Sequence, residues 1–214
     1  MTATRAAAAA AALREAILSG RYFSGERLVE VKIAQAFNVS QNTIRDALHL
    51  LEQEGWVVKQ ARHGVYVRSF SAEDAVEICA LVEAVEAVAL GWAQFDKAAR
   101  IDLQQRITLA RKHAYVDERR EAFEQLLQFH QRIGVYAKRG LTLHLLDTLY
   151  NQVRLLEALR QARTPRTAQQ LEQQLAAHTV IYQAIEADDL DAARRALHTQ
   201  IAEYSAATVA ALRL

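Results

Sequence analysis

One cysteine, one proline, one methionine and seven glycines are all that 214 residues hold of those types. A lone Cys79 excludes an intramolecular disulfide framework and fits a reducing interior. A single proline, Pro165, leaves most segments free to be helical. No apolar run approaches the roughly 18 residues that a membrane span needs, so no membrane partner is expected and the location reads as cytoplasmic. The alanine run at residues 6–12 follows Arg5 much as in a signal peptide. It lacks a leucine-rich middle, however, and helix propensity accounts for it. An excess of one charge is missing too: 26 Lys and Arg stand against 25 Asp and Glu, which excludes polyanion binding by bulk charge alone. There is no nucleophile motif, no Gly-rich phosphate loop and no carboxylate-histidine cluster at catalytic spacing, so no catalytic residue and no enzyme is expected. Glu83 and Glu86 are i, i+3 neighbours, but such pairs on a bundle helix usually face water.

What is present sorts into two unlike parts. Hydrophobic residues make up 51% of the chain, ample for a buried core. Residues 1–70 carry nine Lys and Arg against six Asp and Glu, which leaves seventeen against nineteen for residues 71–214. The front is modestly basic and the back slightly acidic, compatible with a nucleic-acid module on a regulatory body. In the front, residues 5–19, 30–37 and 41–54 read as helices. Residues 56–59 and 65–68 are rich in β-formers and flank a turn at 60–64, the pattern of a hairpin. After residue 70 the sequence reads as nearly continuous helix. It is interrupted near Asp96, residues 116–118, Arg139-Gly140, Thr164-Pro165 and residues 187–189. Thr164 is the expected cap there and Pro165 the first helical residue. Segments of mostly about 18 to 25 residues suit an antiparallel bundle of about six helices. The expected fold is thus mainly α: a winged helix-turn-helix over 1–70, three helices plus a β-hairpin wing, followed by an all-α antiparallel bundle over 71–214.

The third helix carries the most information. Ile44, Ala47, Leu48 and Leu51 follow i, i+3, i+4, i+7, a seam for packing on a core. Ser40 suits the N-cap and Gly55 the left-handed residue past the end. Upstream, Ala34 permits close approach of two helices, Asn38 suits a left-handed turn, and Val39 with Ile44 closes the corner. This is the packing logic of a helix-turn-helix, whose second helix enters the major groove. Ser40, Gln41, Asn42, Thr43, Arg45 and His49 are the candidate contacts on double-stranded DNA. Arg45 suits a guanine or a phosphate; Gln41 or Asn42 suits adenine. Lys59, Arg62, His63 and Gly64 form the candidate wing, where positive side chains reach phosphates or the minor groove. The competing reading is a plain amphipathic surface helix.

These residues, in LREAILSGRYFSGERLVE (13–30), IAQAFNVSQNTIRDALHLLEQEGWV (33–57) and HGVYV (63–67), resemble the GntR family of bacterial transcription regulators. The back part, with SAEDAVEICALVEAVEAVAL (71–90), FEQLLQFHQRI (123–133) and AAHTVIYQAIEADDLDAARRAL (176–197), resembles the FadR-type C-terminal domain called FCD. The resemblance implies a homodimer on a short palindromic operator, usually a repressor, that responds to a small metabolite held in the helical domain. A dimer also follows from affinity, since one winged helix reads only a few base pairs. Such regulators commonly begin the recognition helix Ser-Arg-Thr-Pro-Val-Arg-Glu, whereas here it is Ser-Gln-Asn-Thr-Ile-Arg-Asp. Gln41 in place of the arginine implies an operator that departs from the family's usual guanine there.

Many FCD domains hold a divalent metal through Asp-x3-His, a second histidine on a later helix and a third 22 residues beyond it. His130 and His178 match two of these ligands. Leu126 and Gln200 occupy the other positions and cannot complete a site for Zn, Ni or Mn, and His198 projects off the inner stripe. No cofactor is therefore expected; if a metal were held, His130 and His178 would be its ligands. Two readings remain for these histidines. One is a pair of satisfied core histidines; the other is a metal-free pocket in which His130, His178, Gln200 and Arg154 meet a small organic acid. Val82 stands where such domains often carry an arginine, which points towards a larger, acyl-type effector or none. The alternative for the whole chain is an effector-independent adaptor or structural DNA-binding protein with a vestigial pocket.

Overall fold

The computed structural model describes residues 4–213 and is mainly helical, with one small antiparallel sheet. Residues up to Ser71 together with Asn151–Ala162 form one unit, and the remainder forms a second.

In the first unit, α1 (Arg5–Leu18) is capped by Thr4, whose side chain accepts from Ala7 N at 3.2 Å. Its buried Ala9, Ala10, Leu13 and Ile17 pack with the α3 (Gln41–Gln53) seam of Ile44, Ala47, Leu48 and Leu51. The small alanines let the two helices approach closely. Each fully buried leucine or isoleucine in that seam contributes roughly 1.5–3 kcal/mol. Between them, α2 (Glu30–Phe37) ends at Asn38, which sits in the left-handed region at φ 52°, ψ 48°, as the turn requires. Gly55 at φ +81° follows the end of α3 and lets the chain turn into buried Trp56.

The wing is larger than a hairpin. A two-residue strand β1 (Arg27–Leu28) pairs with β3 (Gly64–Val67), which pairs in turn with β2 (Val57–Gln60). Two residues inside a connection carry no readable alternation, so β1 has no signature in the sequence. Residues 151–162 pack with the front core. They lie in the stretch assigned from sequence to the back part, yet Leu155 belongs to the front core and Asn151 Nδ2 donates to Glu54 O at 3.3 Å.

The second unit is built from α4 (Ala72–Trp92), α5 (Lys97–Tyr115), α6 (Arg119–Tyr136), the first part of α7 (Gly140–Arg163), α8 (Ala168–Glu186) and α9 (Leu190–Leu212). α4 packs on α9 and α6, α5 on α6 and α8, and α8 on α9. Asp96 and Asp189 cap α5 and α9 through their carboxylates. The start of α8 differs from expectation. Its N-cap is Thr167, locked in a capping box with Gln170, so Thr164 and Pro165 lie in the connection. Two satisfied N-terminal donors outweigh the preference of proline for the first helical position.

Candidate nucleic-acid interface and a buried polar cluster

The first turn of α3 faces solvent. Ser40 accepts from Thr43 N at 3.1 Å and lies 2.8 Å from the Thr43 hydroxyl, which fixes where the helix begins. Gln41, Asn42, Arg45 and His49 are exposed, while Ile44, Ala47 and Leu48 are buried beneath them. His49 sits 3.7 Å from Glu52. On the wing, Lys59, Arg62 and His63 are exposed around the β2–β3 turn. Gly64 adopts φ +112°, and a Cβ built there would lie 3.1 Å from Arg27 Nε, so the turn folds tightly over β1.

One participant has no signature in the sequence. Glu30, in the first turn of α2, accepts from Arg45 Nη2 at 2.8 Å, from Arg45 Nε at 3.4 Å and from Gln41 Nε2 at 3.1 Å. Arg45 Nη1 lies 3.5 Å from Asn42 Oδ1. Hydrogen bonding from Arg45 holds the Glu30 carboxyl below the usual carboxylate range; Gln41 and the Arg45 charge add to this and partial burial opposes it. The same carboxylate raises Arg45 above the ordinary guanidinium value. Residues eleven and fifteen positions from Glu30 are brought to it by the turn at Asn38, a separation that no helical period reports.

The second unit holds a buried polar cluster. Glu86 has no exposure, and Tyr150, His178 and His130 have 1%, 2% and 6%. The expectation that Glu83 and Glu86 face water is thus corrected for Glu86, which the α6 histidine draws inside. His130 Nδ1 lies 2.6 Å from Glu86 Oε1, Tyr150 donates to Glu86 Oε2 at 2.9 Å, and His130 Nε2 lies 3.0 Å from His178 Nε2. Phe129 meets both imidazoles edge-on. Glu83 instead stays near the surface and pairs with His198, which points outward.

The hydrogen bonds fix the protons. His178 Nδ1 is 2.7 Å from the Gln174 carbonyl, which only accepts, so Nδ1 carries hydrogen. Burial pushes His178 down to about 3, and the neighbouring His130 and Arg166 act in the same direction, so its ring is neutral and Nε2 accepts. His130 Nε2 therefore donates to it. The short contact to Glu86 then requires one further proton, carried either by the imidazole or by the carboxyl, and in both cases the pair is net neutral.

Gln200 is buried and its Oε1 has no partner. Arg154 lies on the part of α7 that belongs to the first unit and donates to Asn151 Oδ1 at 3.2 Å. The arginine beside His178 is Arg166, 3% exposed and stacked over Phe123 at 4.9 Å. Leu126 is buried hydrocarbon. Among the described residues, no three His, Cys, Asp or Glu converge where they could hold a metal ion.

Two family models match the chain. Residues 5–67 match the family model of the bacterial regulatory proteins, gntR family, and residues 72–203 match the FCD domain. The uncharacterized HTH-type transcriptional regulator YdhC of Bacillus subtilis is 38% identical over 66 residues, 31% of this chain and 30% of its own length. The uncharacterized HTH-type transcriptional regulator BphR of Paraburkholderia xenovorans is 36% identical over 78 residues, 36% of this chain and 32% of its own. These matches thus span about a third of each curated relative. Two solved structures share the fold along nearly the whole chain. A GntR regulator from Rhodococcus sp. RHA1 has TM-score 0.79 at 24% identity, covering 97% of this chain and 99% of its own. McbR/YncC of E. coli has TM-score 0.83 at 14% identity, covering 97% and 98%.

Proposed function

The chain belongs to the gntR family of bacterial regulatory proteins and carries an FCD domain, and from that premise we propose that it is a DNA-binding transcription regulator, not an enzyme, acting as a homodimer on a short palindromic operator. One observation carries the reading: Gln41, Asn42 and Arg45 stand exposed on the capped first turn of a helix whose other face is wholly buried. That is the arrangement a recognition helix needs to offer side chains to base edges while its body stays rigid. Repression is the family's usual sign of action and is adopted here; a cytoplasmic site of action follows from a DNA target. No helix among the described residues is long and apolar enough to cross a membrane.

The dimer seam lies on α4. Large apolar side chains are normally covered, yet Val76, Leu81, Val88 and Trp92 of α4 are between 47% and 52% exposed, with small Ala80 and Ala84 among them. A second copy meeting this stripe covers it and sets the distance between the two recognition helices.

The polar cluster of the second unit is the effector site, and it works without a metal. Leu126 and Gln200 offer no ligand that a divalent ion prefers, and the His178 Nε2 lone pair is already taken by His130. The orphan Gln200 Oε1 suits a small organic molecule that brings a hydrogen-bond donor. Such a ligand acts only through unequal affinity for two arrangements of the dimer.

Selection from duplexes with a randomised core about two helical turns long tests the DNA reading; enrichment of an inverted repeat with half-sites about one turn apart is expected. If no sequence is enriched, the reading is wrong. Native mass spectrometry of the protein as purified, with elemental analysis, is expected to show a metal-free dimer. Stoichiometric Zn, Ni or Mn would contradict the effector reading.

A further inference from the structure

We propose that Glu30 is a specificity-determining positioning residue: its carboxylate tethers Gln41 and Arg45 before DNA arrives, fixing how each meets a base and neutralising Arg45 towards the phosphates of unrelated sequence. The inference rests on the DNA-reading function proposed above.

The geometry imposes both effects. A carboxylate only accepts, so the Gln41 nitrogen must face Glu30, as the 3.1 Å contact has it. The amide sense is thereby set. Gln41 Oε1 and the second Nε2 hydrogen remain free to point outward together, the acceptor and donor that adenine N6 and N7 require. Without the tether the amide flips freely, and half its orientations offer the wrong order of groups.

Arg45 is held along one edge, through Nε and Nη2, while Nη1 lies against Asn42 Oδ1. Only the outward hydrogens of its end remain for a partner. A loose arginine on an exposed first turn swings to the nearest phosphate of any duplex, and such contacts supply affinity without information. Glu30 opposes this twice, by holding the fork and by placing a negative charge where the phosphate would come. The side chains concerned are half-exposed for Arg45 and about one quarter exposed for Glu30, 50% and 27%. The pair is therefore not a core ion pair that folding depends on, and in water it adds little stability. Its consequence falls on recognition.

The test compares wild type, Glu30→Gln and Glu30→Asp in parallel selections from the same randomised duplex pool, with anisotropy against a random-sequence duplex at several salt concentrations. Circular dichroism melts establish that each variant folds. Glu30→Gln is expected to bind random duplex about threefold or more tightly, to steepen its salt dependence by about one phosphate contact, and to lose on the order of tenfold discrimination at the bases met by Gln41 and Arg45. Glu30→Asp, which keeps the charge, is expected to keep random-duplex affinity near wild type. A Glu30→Gln variant that selects the same bases with equal strength overturns the inference alone, as does one whose affinities for chosen and random duplexes fall together. A wild type that enriches no sequence overturns the DNA-reading function and this inference with it.

Discussion

At the scale of the residue, the proposed base reading turns on Gln41. Its amide cannot replace the two parallel donors that an arginine offers to guanine O6 and N7. Gln41→Arg is expected to move the preferred base from adenine to guanine at one position of each half-site, a discrimination of about 1–3 kcal/mol readable in parallel selections. An unchanged base preference would show that Gln41 does not touch a base. His178 makes a separate prediction about acid stability. Its folded value, about 3, lies below the ordinary imidazole value of 6.5, so below pH 6.5 the unfolded chain takes up a proton that the native state refuses. The stability tied to His178 is thus fully present above pH 6.5 and drains away as pH falls towards 3, at up to roughly 1.4 kcal/mol per pH unit. Denaturant midpoints measured from pH 7 downward test this. His178→Phe should flatten the decline, and a parallel decline in both proteins would assign it elsewhere.

At the scale of the element, α3 is short, so its start matters more than its length. Ser40→Ala removes the acceptor for Thr43 N, and the expected cost is about 1 kcal/mol in urea unfolding. A larger loss in operator affinity than in stability would fit, because fraying of the first turn releases the very residues that read. How much of this was legible in the sequence depended on locality. The bounds of α2, the seam and cap of α3, and the left-handed Asn38 could all be read, because each is written within a few residues by period, cap chemistry or turn chemistry. β1 could not, being two residues long. Thr167 outranked Thr164 as the α8 cap because Gln170 completes its box, a reciprocal pairing that the prominence of Pro165 obscured. The tether from Glu30 and the burial of Glu86 were invisible for another reason. Their partners lie on other helices, His130 at 44 positions from Glu86, and only tertiary packing makes a lone glutamate inside a bundle tolerable.

At the scale of the whole molecule, the chain is nearly neutral, so the proposed affinity for DNA rests on local placement of charge and on the proposed pairing of two copies. Leu81→Glu or Val88→Glu on α4 should therefore convert a dimer to monomer in sedimentation and weaken operator binding by on the order of a hundredfold or more, with α3 untouched. A variant that remains dimeric would move the seam off α4.

The most direct test of the account is competitive fluorescence anisotropy of the wild-type protein on its selected duplex, with a scrambled duplex of equal length and composition as competitor, between low and physiological salt. The account predicts a preference on the order of a thousandfold or more, affinity that falls steeply as salt rises, and collapse of the preference in the Gln41→Ala, Arg45→Ala double variant. Equal affinity for the two duplexes, or a preference unchanged in the double variant, would contradict it.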